Sequence, residues 1–326
     1  MQVAAYVWWL TIGITSALLL FDVIVIGRRP HEPSRRELIV ALSFYIGIAV
    51  LFGIGVWSFA GSRYGTEFFA GWLTEYSLSI DNLFIFLILM AKFGVPARLQ
   101  QSALMVGIVI ALVMRGIFIA VGAAAINEFS WVFYLFGLFL IWTAVKLVRE
   151  DDSGDQEYEE GPLVRWVRRH LPATPEWHGA RLTAKIDGRR LFTPMFVVVV
   201  ALGTTDLLFA LDSIPAIYGL TSEPFLVLTA NIFALMGLRQ LYFLIGGLLK
   251  RLVFLSYGLA FLLAFIGVKL VLHALHENEL PFVNGGHHVG WAPDIPIWLS
   301  LVVIVGTLVV TAAASLIADR RTRVSA

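Results

Sequence analysis

Long apolar runs alternate with short polar stretches along almost the whole 326-residue chain. The runs cover approximately residues 6–26, 37–58, 70–91, 103–125, 130–147, 192–216, 225–248, 252–272 and 296–317. A helix needs about 20 mostly apolar residues to cross a bilayer, and each run is close to that length. The pattern predicts an all-α polytopic membrane protein with about nine transmembrane helices, forming a single domain over 1–326. The first run is not read as a cleavable signal peptide, because its arginines follow the apolar stretch instead of preceding it.

Charge orients these helices. Lys and Arg concentrate in cytoplasmic loops. Twenty of the 24 basic residues fall in alternate loops and the C-terminal tail, and only Arg63 falls on the opposite side. Arg115, Arg239 and Lys269 lie inside spans. This alternation places the N-terminus outside and the C-terminus inside. The one sizeable soluble segment, residues 149–191, is then cytoplasmic. It contains an acidic run (150–160), a basic amphipathic stretch, PLVRWVRRHL, expected to lie on the inner leaflet, and RLTAKIDGRRLF. In the last of these, Asp187-Gly188 between apolar alternations signals a hairpin.

Composition removes several function classes. Hydrophobic residues make up 59% and charged residues 14%, against about 45–50% and about 25% in soluble domains. A net charge of +1 offers no field for a nucleic acid. There is no cysteine, so disulfides, thiolate metal sites and dithiol redox chemistry are excluded. No prosthetic group and no enzymatic chemistry are expected.

The chain also repeats itself. SIDNLFI around Asp81 matches TTDLLFA around Asp206, LVMRGIFIAVG around Arg115 matches MGLRQLYFLIG around Arg239, and YLFGLFLIWTAVKLV matches SYGLAFLLAFIGVKLV. All three pairs keep nearly one offset. The units, about 68–148 and 192–272, each hold three spans and would lie in opposite directions across the membrane. Inverted repeats are typical of secondary transporters, whose sites sit where the halves meet. Spans 6–26, 37–58 and 296–317 are additional.

Ionisable residues inside a membrane are costly and mark function. Here they are Asp22, Asp81, Asp206 and Asp212, with Glu75 nearer the outer surface, against Arg115, Arg239 and Lys269. The acidic excess suits a cation; the competing readings are Asp–Arg pairs that hold the spans together and a proton relay. Asp81 and Asp206 are repeat equivalents with polar neighbours: Ser77, Ser79 and Asn82 near the first, Thr204, Thr205 and Ser213 near the second. Asn231 adds an amide oxygen. Asp81, Asp206, Asp212, Asn82 and Asn231 form the candidate metal set. Asp22, Glu75, Ser79, Thr205, Ser213, Arg115, Arg239 and Lys269 are accessory, gating or counter-charge candidates. Asp206 and Asp212 point about 120° apart on a regular helix. They would share one cavity only if Gly203 and Pro215 let that helix unwind; otherwise they serve separate positions. Oxygen ligands favour manganese, magnesium or calcium over zinc or copper. The outer-loop residues His273, His276, Glu277, Glu279, His287, His288 and Asp294 match no metal-ligand spacing. Trp8, Trp57, Trp131, Trp291 and Trp298 near span ends read as interfacial anchors.

The segments SLSIDNLFIFLILMAKFGVPARLQ and TTDLLFALDSIPAIYGLTSEPFLVLTANIFALMGLRQLYFL resemble the TerC family, bacterial integral membrane proteins named for tellurium resistance. The resemblance extends from LLLFDVIVIGRR to IPIWLSLVVIVG. It implies a multi-pass protein of the bacterial inner membrane and, as in some members, export of divalent cations, chiefly manganese, with Asp81, Asp206, Asp212, Asn82 and Asn231 lining the ion path; other members are linked to tellurite resistance, to alkaline pH response or to loading metal onto exported proteins. An alternative implication is a scaffold for a stress-resistance or exoprotein-metalation complex. The expected partners are therefore the bilayer, a divalent ion, and a second copy or a secretion or stress-complex protein.

Overall fold

A computed structural model describes residues 3–28, 33–129, 131–152, 162–186, 189–249, 254–276, 278, 280, 284, 287, 289, 291–293 and 295–324. Ten helices run through these residues: α1 (Ala5–Arg28), α2 (Arg35–Ala60), α3 (Ser62–Lys92), α4 (Ala97–Glu128), α5 (Val132–Asp152), α6 (Pro162–His170), α7 (Pro194–Tyr218), α8 (Pro224–Leu249), α9 (Leu255–His276) and α10 (Ile297–Val324). Among the described residues, all but α6 are long and apolar enough to cross a membrane, which makes nine. A short antiparallel pair, β1 (Thr183–Ile186) and β2 (Arg189–Phe192), forms the expected hairpin. Its central residues, Asp187 and Gly188, lie outside the described set, as do most of the acidic run and Glu277, Glu279, His288 and Asp294.

Enclosure sorts the helices into centre and rim. The α8 span is 94% buried, whereas the spans of α1 and α10 are 6% and 11% buried. That ordering matches composition, since α8 carries Thr229, Asn231, Arg239 and Gln240, all buried. Polar groups without water must find partners inside the protein, so the helix that carries them occupies the middle. The rim helices turn large apolar side chains outward, such as Trp9, Phe59 and Val310, as a lipid-facing surface would require.

Three close helix pairs hold the bundle. Along α3 and α8, Gly71 lies against Ala230 and Tyr76 against Gly237, so these helices run in the same direction. So do α4 and α7, where Gly107 meets Leu202 and Gly122 meets Tyr218. α5 and α9 are antiparallel, with Phe133 against His273 and Gly137 against Gly267. Small residues permit this approach, because packing, not water exclusion, drives association in lipid.

Three details differ from the sequence expectation. α3 starts at Ser62, well before residue 70; its polar first turns are satisfied within the protein, with Glu67 taking hydrogen bonds from Arg63 and Thr221. α7 is an unbroken helix through Gly203 and Pro215. Gly203 instead provides close packing, since a Cβ there would lie 3.2 Å from Ile110. The amphipathic stretch does form α6, but Val164 and Val167 on its apolar face enter the protein core beside Met195 and Val198 of α7. Among its described side chains, Leu163 and Trp166 are the apolar ones that face outward.

The tightest seam yields a prediction. A Cβ at Gly137 would lie 2.7 Å from the Gly267 carbonyl oxygen, and one at Gly267 would lie 2.8 Å from that of Gly137. Overpacking of this kind costs about 1–3 kcal/mol, so Gly137→Ala or Gly267→Ala should lower the melting temperature of the purified protein in detergent. Gly116→Ala, which meets no neighbouring atom within 4 Å, should leave it nearly unchanged.

Candidate functional site

Arg115 on α4 is fully buried and gathers oxygens from three other helices. Its Nε and Nη2 each donate to Asp206 of α7 at 3.2 Å, a two-pronged contact with both carboxylate oxygens. Its Nη1 donates to Asn231 Oδ1 of α8 at 3.0 Å and to Ser213 Oγ of α7 at 3.3 Å. The same Nη1 pairs with Oε1 of Glu75 on α3. A guanidinium suits this role because its planar donors match a carboxylate edge and it keeps its charge when buried. Glu75 is 0% and Asp206 2% exposed. Two carboxylates therefore share one cation among the described residues, and Glu75 Oε2 has no hydrogen-bond partner there. The hydroxyls of Thr74, Ser77 and Ser79, also on α3, are likewise buried without a described partner.

Asp212 faces elsewhere, as its spacing from Asp206 on an unbroken helix requires. It accepts a hydrogen bond from Thr143 of α5 at 3.0 Å. It lines a cavity of about 250 Å³ with Asn82, Ser213, Thr143 and Lys146. Ser213 touches both places, since it bonds Arg115 and forms part of the cavity wall. The candidates thus divide into an occupied cluster (Glu75, Arg115, Asp206, Ser213, Asn231) and an adjoining open cavity (Asn82, Asp212). The side chain of Asp81 lies outside the described set. Thr205 is buried beside Asp206.

The remaining charges make separate pairs. Arg239 of α8 donates to Asp22 of α1 at 3.0 Å. Lys269 donates to Ser300 of α10 at 3.1 Å. No group of three or more His, Cys, Asp or Glu poised for a metal occurs among the described residues. Sequence reading missed Thr143, Lys146 and Glu67. Thr143 was recognisable as a hydroxyl within an apolar span, and Lys146 was counted only as a loop charge.

Nine membrane-length apolar helices among the described residues, with ion-paired carboxylates buried between them, mark an integral membrane protein. The sequence pattern described as "Integral membrane protein TerC family" matches residues 60–323, and the chain belongs to that family. It is 46% identical to the uncharacterized membrane protein Rv2723 of Mycobacterium tuberculosis H37Rv over 318 residues, which is 97% of this chain and 80% of that protein. It is 36% identical over 309 residues to the Escherichia coli K12 protein named "Putative membrane-bound redox modulator Alx", covering 91% of this chain and 90% of that one. A Myxococcus xanthus membrane protein is 37% identical over 96% of this chain and 92% of its own length. No solved structure matches the chain at a significant level.

Removing one partner of a buried ion pair costs about 3–5 kcal/mol. Arg115→Ala should lose stability on that scale, because it leaves Glu75 and Asp206 facing each other in a dry interior. Arg239→Ala should lose less, because the Asp22 side chain keeps 17% exposure. Unfolding of both variants in the same detergent checks the ranking, and equal losses would contradict it.

Proposed function

We infer that the protein is a divalent-cation transporter whose work is manganese efflux across the bacterial inner membrane. The observation that carries this reading is the convergence of buried oxygen donors from α3, α7 and α8 on one point, with more carboxylate than cation around it. Hard oxygen donors suit manganese, magnesium and calcium. The adjoining cavity, with Asp212, Asn82, Thr143 and Ser213, gives an ion a second polar station, and Ser213 links the two. Asp81 belongs to the proposed path through its repeat equivalence to Asp206.

Alternating access fits the packing. If α3, α4 and α5 correspond to α7, α8 and α9, the α3–α8 pair corresponds to α4–α7, and α5–α9 corresponds to itself. Both parallel pairs and the antiparallel pair then follow from one twofold relation between inverted halves. Rocking of those halves would expose the carboxylates first to the cytoplasm and then to the outside. The ion crosses unchanged, so on this reading the protein is not an enzyme and needs no prosthetic group. Carboxylates that release a metal can take up a proton, which offers proton exchange as a driving force.

A second reading is a scaffold for a stress-resistance or exoprotein-metalation complex. The ordered segment formed by α6, β1 and β2, seated on the start of α7, favours it as a docking platform. The relatives named as redox modulators suggest a third role. With no cysteine in this chain, such a role would use no thiol of its own.

Cells carrying wild type, Asp206→Asn, Asp212→Asn or a deletion of 153–160 separate these readings. The deletion is confined to the acidic run because removing α6 would open the core at Val164 and Val167. Export predicts raised intracellular manganese and reduced manganese tolerance for both aspartate variants at normal protein levels. Unchanged manganese in both, with a phenotype only from the deletion, would sink the exporter and favour the scaffold.

A further inference from the structure

The guanidinium of Arg115 occupies the point where a divalent ion would find its ligands. Asp206 presents both carboxylate oxygens, Asn231 an amide oxygen, Ser213 a hydroxyl and Glu75 a second carboxylate. An all-oxygen shell with two carboxylates is what a hard divalent cation takes. The occupant here is a monovalent side chain, which leaves the cluster with a formal charge of −1 and Glu75 Oε2 unpartnered among the described residues. A divalent ion in the same shell would bring that formal charge to zero and give Oε2 a partner. A sodium or potassium ion would gain nothing over the guanidinium. The cavity of about 250 Å³ beyond Ser213 gives a displaced side chain somewhere to go.

Resting on the transporter reading, we propose that Arg115 is a tethered competitor for the ion site. It fills the oxygen shell when metal is absent, yields to a divalent but not a monovalent cation, and returns to expel the ion. Arg115 is then the residue that sets valence selectivity, although it never ligates the metal. A purely structural Arg115 would affect stability alone.

The test titrates manganese(II) chloride into purified full-length protein by calorimetry and follows manganese transport in proteoliposomes. If Arg115 holds the site in nine or more molecules of ten, Arg115→Gln should bind manganese about ten-fold or more tightly than wild type. Sodium should now compete, and transport should slow, because nothing expels the ion. Arg115→Lys, a smaller cation without the guanidinium fork, should fall between the two. Unchanged or weaker binding by folded Arg115→Gln overturns the competitor role. The exporter reading survives that result if wild type still moves manganese and Asp206→Asn does not. Wild type that neither binds nor moves manganese overturns both. Should Arg115→Gln fail to fold, infrared difference spectra of wild type with isotope-labelled arginine decide the matter. Manganese must shift a guanidinium band that is absent from Arg115→Lys, and no shift overturns the proposal.

Discussion

A charge held away from water must be answered inside the protein, and the centre of this bundle is organised by that requirement. Arg115 is fully buried, and every one of its partners comes from another helix. Meeting its demand draws α3, α7 and α8 around α4. The helix richest in polar side chains, α8, is correspondingly the most enclosed. In lipid, burial of apolar surface gives no net drive for association, so the polar core and the small-residue seams specify which helix lies beside which.

The nine spans were legible because a bilayer demands apolar runs of a fixed length and little else satisfies it. The ends were less legible where polar residues are buried by partners. Ser62, Arg63, Thr66 and Glu67 resemble a loop, yet they continue α3, because Glu67 finds Thr221 on the connection into α8. Gly203 and Pro215 suggested an unwound segment on local chemistry alone. The neighbour that explains Gly203, Ile110, is more than ninety residues away along the chain, and no local pattern announces it.

The candidate site was legible by residue type and not by pairing. Buried acids and bases could be identified span by span, but which base meets which acid depends on the bundle. Arg115 lies on α4 and Arg239 on α8. One reaches Asp206 on α7, and the other reaches Asp22 on α1. Asp22, near the end of its span, is open to gating, snorkelling or ligation by sequence, and the structure pairs it with Arg239. Asp206 and Asp212 sit six residues apart on an unbroken helix and face different surroundings. The structure adds Ser213 as the side chain lying between their two environments.

The α5–α9 seam has a mechanical consequence. Gly137 and Gly267 bring the two backbones into direct contact, while Ala144 and Ala260, each seven residues from one of those glycines, are buried in the same cluster. Atoms on such a line have no slack to slide, because each backbone already touches the other. Tilting of α5 against α9 therefore displaces this seam least and their far ends most, so the seam is a pivot between these two helices. A small tilt there becomes a larger displacement at the ends of α5 and α9, while α3, α4, α7 and α8 are joined by close packing and by the Arg115 guanidinium.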